Sequence, residues 1–244
     1  MVILMNTTPY KLSWLFSFAV LTVVLLLASS EAGGQKGDPP KVKKVDVGKN
    51  VWLEIEGDKR RVCLSGVVCR TKGFLEQVLC KKETKEHEAI VSADIDAAKV
   101  HFALTLAGAE AGSPVKFVPK YTPAHGTVIK VYVQYEEKGK TIKVPAQQWV
   151  RNIKTKKELE HNWVFAGSQF YQNRLDPKAP PFYAANDGDV ICVSNFPSAM
   201  LDLPVKSSEK NDDLEFEAFT ERIPAEDTRV LVILEPVLPP PKKK

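Results

Sequence analysis

Hydrophobic and polar positions change period along this chain, and the changes divide it into elements. The first stretch has no period at all. From Leu12 to Ser30 no residue is charged, and Leu, Val, Phe and Ala dominate as far as Leu27. Lys11 precedes the run, and the small residues Ala28, Ser30 and Ala32 follow it. That order of basic, apolar and small residues is a secretory signal peptide over 1–32, with cleavage after Ser30 or Ala32. The run approaches the roughly 20 residues of a spanning helix, so an uncleaved anchor is the rival reading.

Period two begins at Val51. Val51, Leu53 and Ile55 alternate with Trp52, Glu54 and Glu56, and NVWLEIEGDKRRVCLSGVVCR predicts two strands about a Gly57-Asp58 turn. A second turn at Arg70–Gly73 sends Phe74–Cys80 back antiparallel, as a strand covered on both faces. After the charged run KKETKE and apolar Ala89–Val91, the period becomes helical. Asp94 and Asp96 offer an N-cap. Val100, Ala103, Leu104 and Ala107 fall on one face, Phe102 and Leu106 widen it, and Gly108 or Gly112 ends the helix. This helix is expected to be nearly buried, and Gly73–Gly108 to be the unit around which the domain is built.

The rest reads as strands and turns. SPVKFVPKYTPAHG is an irregular loop; TVIKVYVQYEEKGKTIKVPAQQWV is a strand pair turning at Glu137–Lys140; Lys156–Glu160 is a helical turn or two. NWVFAGSQFY is a strand interrupted at Gly167, a bulge or close backbone approach. FYAANDGDVICVSNF is a hairpin turning at Asn186–Gly188, and DLEFEAFTERIP pairs with RVLVILEP. The sum predicts an α+β fold, mostly antiparallel strands with one principal buried helix, in a single domain over 45–236. Proline and lysine mark 33–44 and 237–244 as flexible tails.

Composition narrows the function classes. The chain is 44% hydrophobic, enough for a core, and its net charge of +4 is too mild to argue for nucleic acid. The lysines near both ends read as solubilising tails, with weak contact with an anionic envelope surface as the alternative.

Candidate chemistry is sparse. His87-Glu88 lacks the second histidine four positions on, where Val91 stands, so the zinc-protease pattern fails. Cys63, Cys69, Cys80 and Cys192 contain no CxxC, so no metal or cofactor is expected. Ser168 sits in AGSQF, outside a GxSxG elbow. Glu76 in a covered strand needs a partner, Lys85 or an arginine. It shares a strand face with Cys80, and His87-Glu88 follows after a short turn. Glu76, His87, Glu88 and Ser168 are therefore expected to converge, either as a functional pocket or as a structural hydrogen-bonded network. The Arg70–Gly73 turn sets Cys63 opposite Cys80, the expected disulfide; Cys69 with Cys80 or Cys192 is the alternative.

The order Gly73, Leu75-Glu76, Cys80, Lys85, His87-Glu88 and a helix ending LxLAG resembles the YdjY-like family of bacterial cell-envelope proteins. VFAGSQF and FYAANDGDVICVSNFPSAMLDLP extend the resemblance over roughly Val45 to Pro236. It implies an exported envelope or periplasmic domain rather than a reaction. The expected function is a non-catalytic binding or assembly module for an envelope protein or ligand. The alternative is a small hydrolase or thiol/redox enzyme centred on Glu76, Cys80, His87 and Glu88.

Overall fold

The computed structural model describes residues 42–172, 175–207 and 214–239. The signal peptide expected over 1–32, most of the 33–44 tail and the end of the 237–244 tail lie outside the described residues. Strand β1 (Lys43–Gly48) begins inside the stretch expected to be a tail, with Lys43 opposite Ile55 of β2 (Val51–Glu56). The Gly57-Asp58 turn leads into β3 (Lys59–Val68), as the alternation predicts.

Past β3 the pairing departs from the expected hairpin. Strand β4 (Gln77–Lys81) does not lie against β3, because β5 (Ala89–Ala93) stands between them, antiparallel to β3 and parallel to β4. On its far side β4 pairs with β12 (Ile191–Cys192), which pairs with β13 (Leu201–Asp202), which pairs with β9 (Trp163–Phe165). Strand β9 meets β6 (Val128–Glu137), β6 meets β15 (Arg229–Pro236), and β15 returns to β3. Eight strands thus close on themselves as a barrel, with β1, β2 and β7 (Lys140–Pro145) extending the sheet outside the ring.

This closure overturns the α+β expectation. The described residues are 42% strand against 13% helical, with a single α-helix among them, packed on the β1–β3 part of the sheet. Helix α1 (Ala97–Leu106) packs on β1, β2 and β3. Its start is as predicted: the Asp96 side chain accepts from the Ala98 N–H at 2.9 Å. Val100, Ala103, Leu104 and Ala107 are buried, but Phe102 and Leu106 are 52% and 42% exposed, so only one stripe faces the core. Gly108, at φ +96°, ends it.

Other local expectations change with the topology. Lys156–Glu160 forms no helix; Glu158 bridges to Arg151 instead. After β11 (Phe182–Tyr183), which pairs with β10 (Phe170–Tyr171), the chain turns through Ala184–Asp187 into β12, so no hairpin forms at Asn186–Gly188. Strand β14 (Phe216–Ala218) pairs with β8 (Val150–Asn152) rather than with β15. Strand β15 is apolar and largely buried because it has neighbours on both edges inside the barrel wall. Trp149, Trp163, Phe165, Leu64, Leu79 and Leu201 are fully buried in the core.

At Gly66 the sheet forks. The first half of β3 carries β2 on one edge, and its last residues, Val67 and Val68, carry β5 on that edge. Any Cβ at Gly66 would lie 2.7 Å from Val91 Cγ1, so glycine lets β5 cross close to β3. The Asn50 side-chain amide donates to the Asp94 carbonyl at 3.0 Å across the fork.

Candidate functional site: a carboxylate cluster around Lys85

Glu76 is held by its own backbone before its side chain does anything. Its N–H donates to the Glu88 carbonyl at 3.0 Å, and its carbonyl accepts from Val193 at 2.8 Å and Ser194 at 3.1 Å. The carboxyl is thereby fixed between the 86–88 turn and the chain after β12, 5% exposed. Lys85 enters from the adjoining loop. Its Nζ lies 3.0 Å from Asp189 Oδ1, 3.9 Å from Glu88 Oε1 and 4.0 Å from Glu76 Oε2, and 4.7 Å from the centre of the Phe196 ring. Gly188, at φ +122°, makes room for it, since a Cβ there would stand 2.9 Å from Lys85 Cγ.

Asp189 completes the cluster. Gln77 Nε2 donates to its Oδ1 at 3.1 Å and Ser198 Oγ to its Oδ2 at 2.5 Å. Three carboxyls therefore share one ammonium. Burial, and then the neighbouring Glu88 carboxylate, push Glu76 up to about 7. Burial opposes the charge on Lys85, yet Asp189 outweighs it and holds the ammonium above its ordinary value.

The four residues expected to converge do so unequally. Glu76 and Glu88 belong to the cluster. His87 touches it from the solvent side, with Nε2 3.6 Å from Glu88 Oε1 and its side chain 73% exposed. Ser168, at φ +56°, donates from Oγ to the Ser198 carbonyl at 2.6 Å and so joins the cluster only through Ser198. Lys85 was expected as the partner of Glu76, but Asp189 is its nearer one. Gln77, Asp189 and Ser198 are additional members. The sequence signal for Asp189 and Ser198 lies in the DGDVICVSNFPS phrase, where Gly188 reads as a turn residue rather than as clearance for Lys85, and Gln77 follows Glu76 directly in the chain. Gly167 is a close approach, as expected: a Cβ there would lie 2.9 Å from the Ala111 Cβ.

The cysteines do not bridge. Cys63 stands opposite Trp52 and Ile233, and Cys80 opposite Ser92, so the expected Cys63–Cys80 pair is separated by the interposed β5. All four cysteines are free thiols.

A second feature lies on the other side of the 86–88 turn. The fork in the sheet opens a groove of about 1080 Å³, floored by Ser65, Val67 and Leu231 and flanked by Cys69, Glu86 and Arg229. Its walls are strands and a hydrogen-bonded turn: Glu86 accepts from the Thr84 N–H at 2.9 Å and from Ser92 Oγ at 3.0 Å.

The chain matches the family model of the YdjY domain over residues 53–235. It belongs to the YdjY domain family. The match runs from within β2 into β15 and takes in nearly all of the ring of strands, the cluster and most of the groove. Comparison with curated proteins and with solved structures finds no match. Within the matched span the YdjY domain buries a second polar network beside the first. Asn195 Nδ2 donates to Asp202 Oδ1 at 3.1 Å, as does the Leu203 N–H at 2.7 Å, and the Ser207 N–H donates to Asn195 Oδ1 at 2.8 Å. Asp202 is fully buried and pushed up to about 7 by that burial, and no protein group meets its Oδ2 among the described residues. His101 is structural in form: its Nδ1 lies 2.9 Å from the Tyr183 hydroxyl, which donates to the Gly167 carbonyl at 3.0 Å.

Proposed function

We propose that this YdjY domain is an exported, non-catalytic binding module of the cell envelope, and that its ligand lies in the groove at the sheet fork. The groove carries the reading. It is the size of small-ligand sites, is walled by β3, β6 and β15 together with short turns, and mixes apolar surface with a few polar groups. The apolar run between Lys11 and Ala32 supports the export. The carboxylates around Lys85 support a structural role for the cluster, since each is engaged with its neighbours. The test is to fill the groove. Ser65→Trp protein and wild type are incubated with an envelope extract, washed and examined by native mass spectrometry. A bound species on wild type that the variant lacks supports the reading. A wild type with nothing bound, or a variant that binds equally, overturns it.

One observation favours the other reading, a small hydrolase or thiol enzyme centred on Glu76, Cys80, His87 and Glu88. Glu76 at about 7 suits a group that gives and takes protons near neutral pH. Under that reading Glu76→Gln abolishes whatever phenotype gene deletion produces while leaving the folded domain intact. Retention of function in Glu76→Gln rejects it.

A further inference from the structure

Lys85 and Asp189 meet in a geometry that suits more than an ion pair. Gly188 leaves room for the Lys85 stem and sets its neighbour Asp189 against the lysine end, with Nζ 3.0 Å from Oδ1. The Asp189 side chain is 5% exposed and the Phe196 ring lies 4.7 Å from Nζ, so the contact is largely shielded from bulk water. Both Asp189 oxygens accept from a donor, Oδ1 from Gln77 Nε2 at 3.1 Å and Oδ2 from Ser198 Oγ at 2.5 Å. Two further carboxyls, Glu88 and Glu76, stand 3.9 and 4.0 Å from the same Nζ. An amine held against a polarised carboxyl, beside a second carboxyl that can carry protons, is what amide formation requires.

We propose that Lys85 and Asp189 condense to an amide, a covalent link between the loop before β5 and the loop before β12. The ammonium is the resting form of Lys85, so the first step passes one proton from Nζ to Asp189 Oδ1 across their contact. The freed amine lone pair attacks Asp189 Cγ, and a C–N bond forms. Negative charge gathers on Oδ2, where the Ser198 hydroxyl donates as in an oxyanion hole. Glu76 takes the surplus proton from Nζ and returns one to Oδ1. The Cγ–Oδ1 bond then breaks, and Oδ1 leaves as water. One ammonium and one carboxylate become one amide and one water, so charge and atoms balance and no oxidant or co-reactant is needed. Glu76, raised to about 7 by burial and then by Glu88, suits proton exchange at neutral pH. Folding holds the two groups in contact and so favours a bond that separate amines and carboxylates do not make in water. The ion pair is the reactant, and its own stability belongs to the chain before the bond closes. The bond stands whether or not the groove has a ligand.

The experiment holds the full folded chain at neutral pH, reduces and denatures samples over time, and reads them by intact mass and tryptic mapping. The mass is compared with the sequence from the N-terminus that the same map reads. The expected product is lighter by one water, carries a branched peptide joining Lys85 to Asp189, and is no longer cut by trypsin after Lys85. Lys85→Arg, which keeps a cation but offers no amine, and Asp189→Ala stay at full mass. Glu76→Gln, whose side chain cannot take up the proton, loses water about a hundredfold more slowly. A wild type that keeps its full mass and is cut after Lys85 overturns the proposal. So does a loss of water that maps to a succinimide at Asp187-Gly188 with Lys85 still cut. A folded Glu76→Gln chain that bonds at the wild-type rate overturns the part given to Glu76. Where Glu76→Gln or Asp189→Ala does not fold, the wild-type map and Lys85→Arg decide.

Discussion

Lys85 Nζ and Asp189 Oδ1 stand 3.0 Å apart and tie the loop before β5 to the loop before β12. The pair is mostly buried on the Asp189 side and screened by protein on the Lys85 side. Lys85→Met removes the only ammonium among three carboxyls. It is expected to cost roughly 3 kcal/mol, the low end for breaking a buried pair because Lys85 retains some solvent. Urea denaturation of wild type and variant measures it, and a loss below about 1 kcal/mol assigns the pair to the surface class instead.

Glu76 and Asp202 set the pH dependence. Both carboxyls are raised to about 7, chiefly by burial, from 4.5 and 3.8. A carboxyl raised on folding holds more protons folded than unfolded. Its contribution is complete below the unfolded value and is lost as pH rises through the folded one. Glu54 and Glu86, both lowered on folding, act in the opposite sense at and below about pH 4.5. His101, lowered by burial from 6.5, adds stability as pH rises towards that value and offsets one of the two carboxyls, so stability should peak near about pH 5 and decline gently towards about pH 7.5. Denaturation midpoints across that range check the slope, and Glu76→Gln should flatten it. A wild-type midpoint that rises between those pH values contradicts the protonated pair.

The two faces of α1 predict opposite outcomes. Leu104 is fully buried, so Leu104→Ala should cost about 2–5 kcal/mol. Phe102→Ala, on the exposed face, should fall within about 0.5 kcal/mol of wild type. Equal losses would place the helix in a two-sided core.

Gly66→Ala tests the fork. The added methyl meets Val91 Cγ1 at 2.7 Å and the Ser92 carbonyl at 3.1 Å, so β5 must move away from β3. A loss of roughly 1–3 kcal/mol is expected, as for other overpacked sites. Proteolysis or hydrogen exchange should locate the loosening at Val67–Val68 and Val91–Ser92, the register pairs that join the two strands. Uniform exchange across the domain would count against a local effect.

His87→Ala separates the network from its rim. His87 is exposed and among the described residues pairs with Glu88 alone, so the substitution should leave the melting temperature near that of wild type, within the ordinary surface range of about 0.5 kcal/mol. A large drop would show that the imidazole holds the turn in place.

Local features of the chain were legible and distant ones were not. The β2–β3 and β6–β7 hairpins follow from alternation and an intervening turn, and the Asp96 cap follows from residue type at a change of period. The ring of strands does not. Its closure joins β3 to β5, β4 to β12 and β15 to β6, and strands as short as β12 and β13 carry no period to read. Phe102 and Leu106 show the same limit at smaller scale, because an apolar residue on a helix need not face the core. Glu76 and Lys85 were legible as partners because a carboxyl in a covered strand demands a cation. Asp189 was not, since nothing near it in the chain shows that a lysine from before β5 arrives there.

The position of β15 bears on how the domain is made. The last of the described strands, Arg229–Pro236, is the one that lies between β3 and β6, with neighbours on both edges. A nascent chain that has not yet yielded it holds two open edges and no ring. Closure of the ring therefore waits on a strand far along the chain from β3, so the barrel is completed by pairing between distant parts of the sequence rather than hairpin by hairpin.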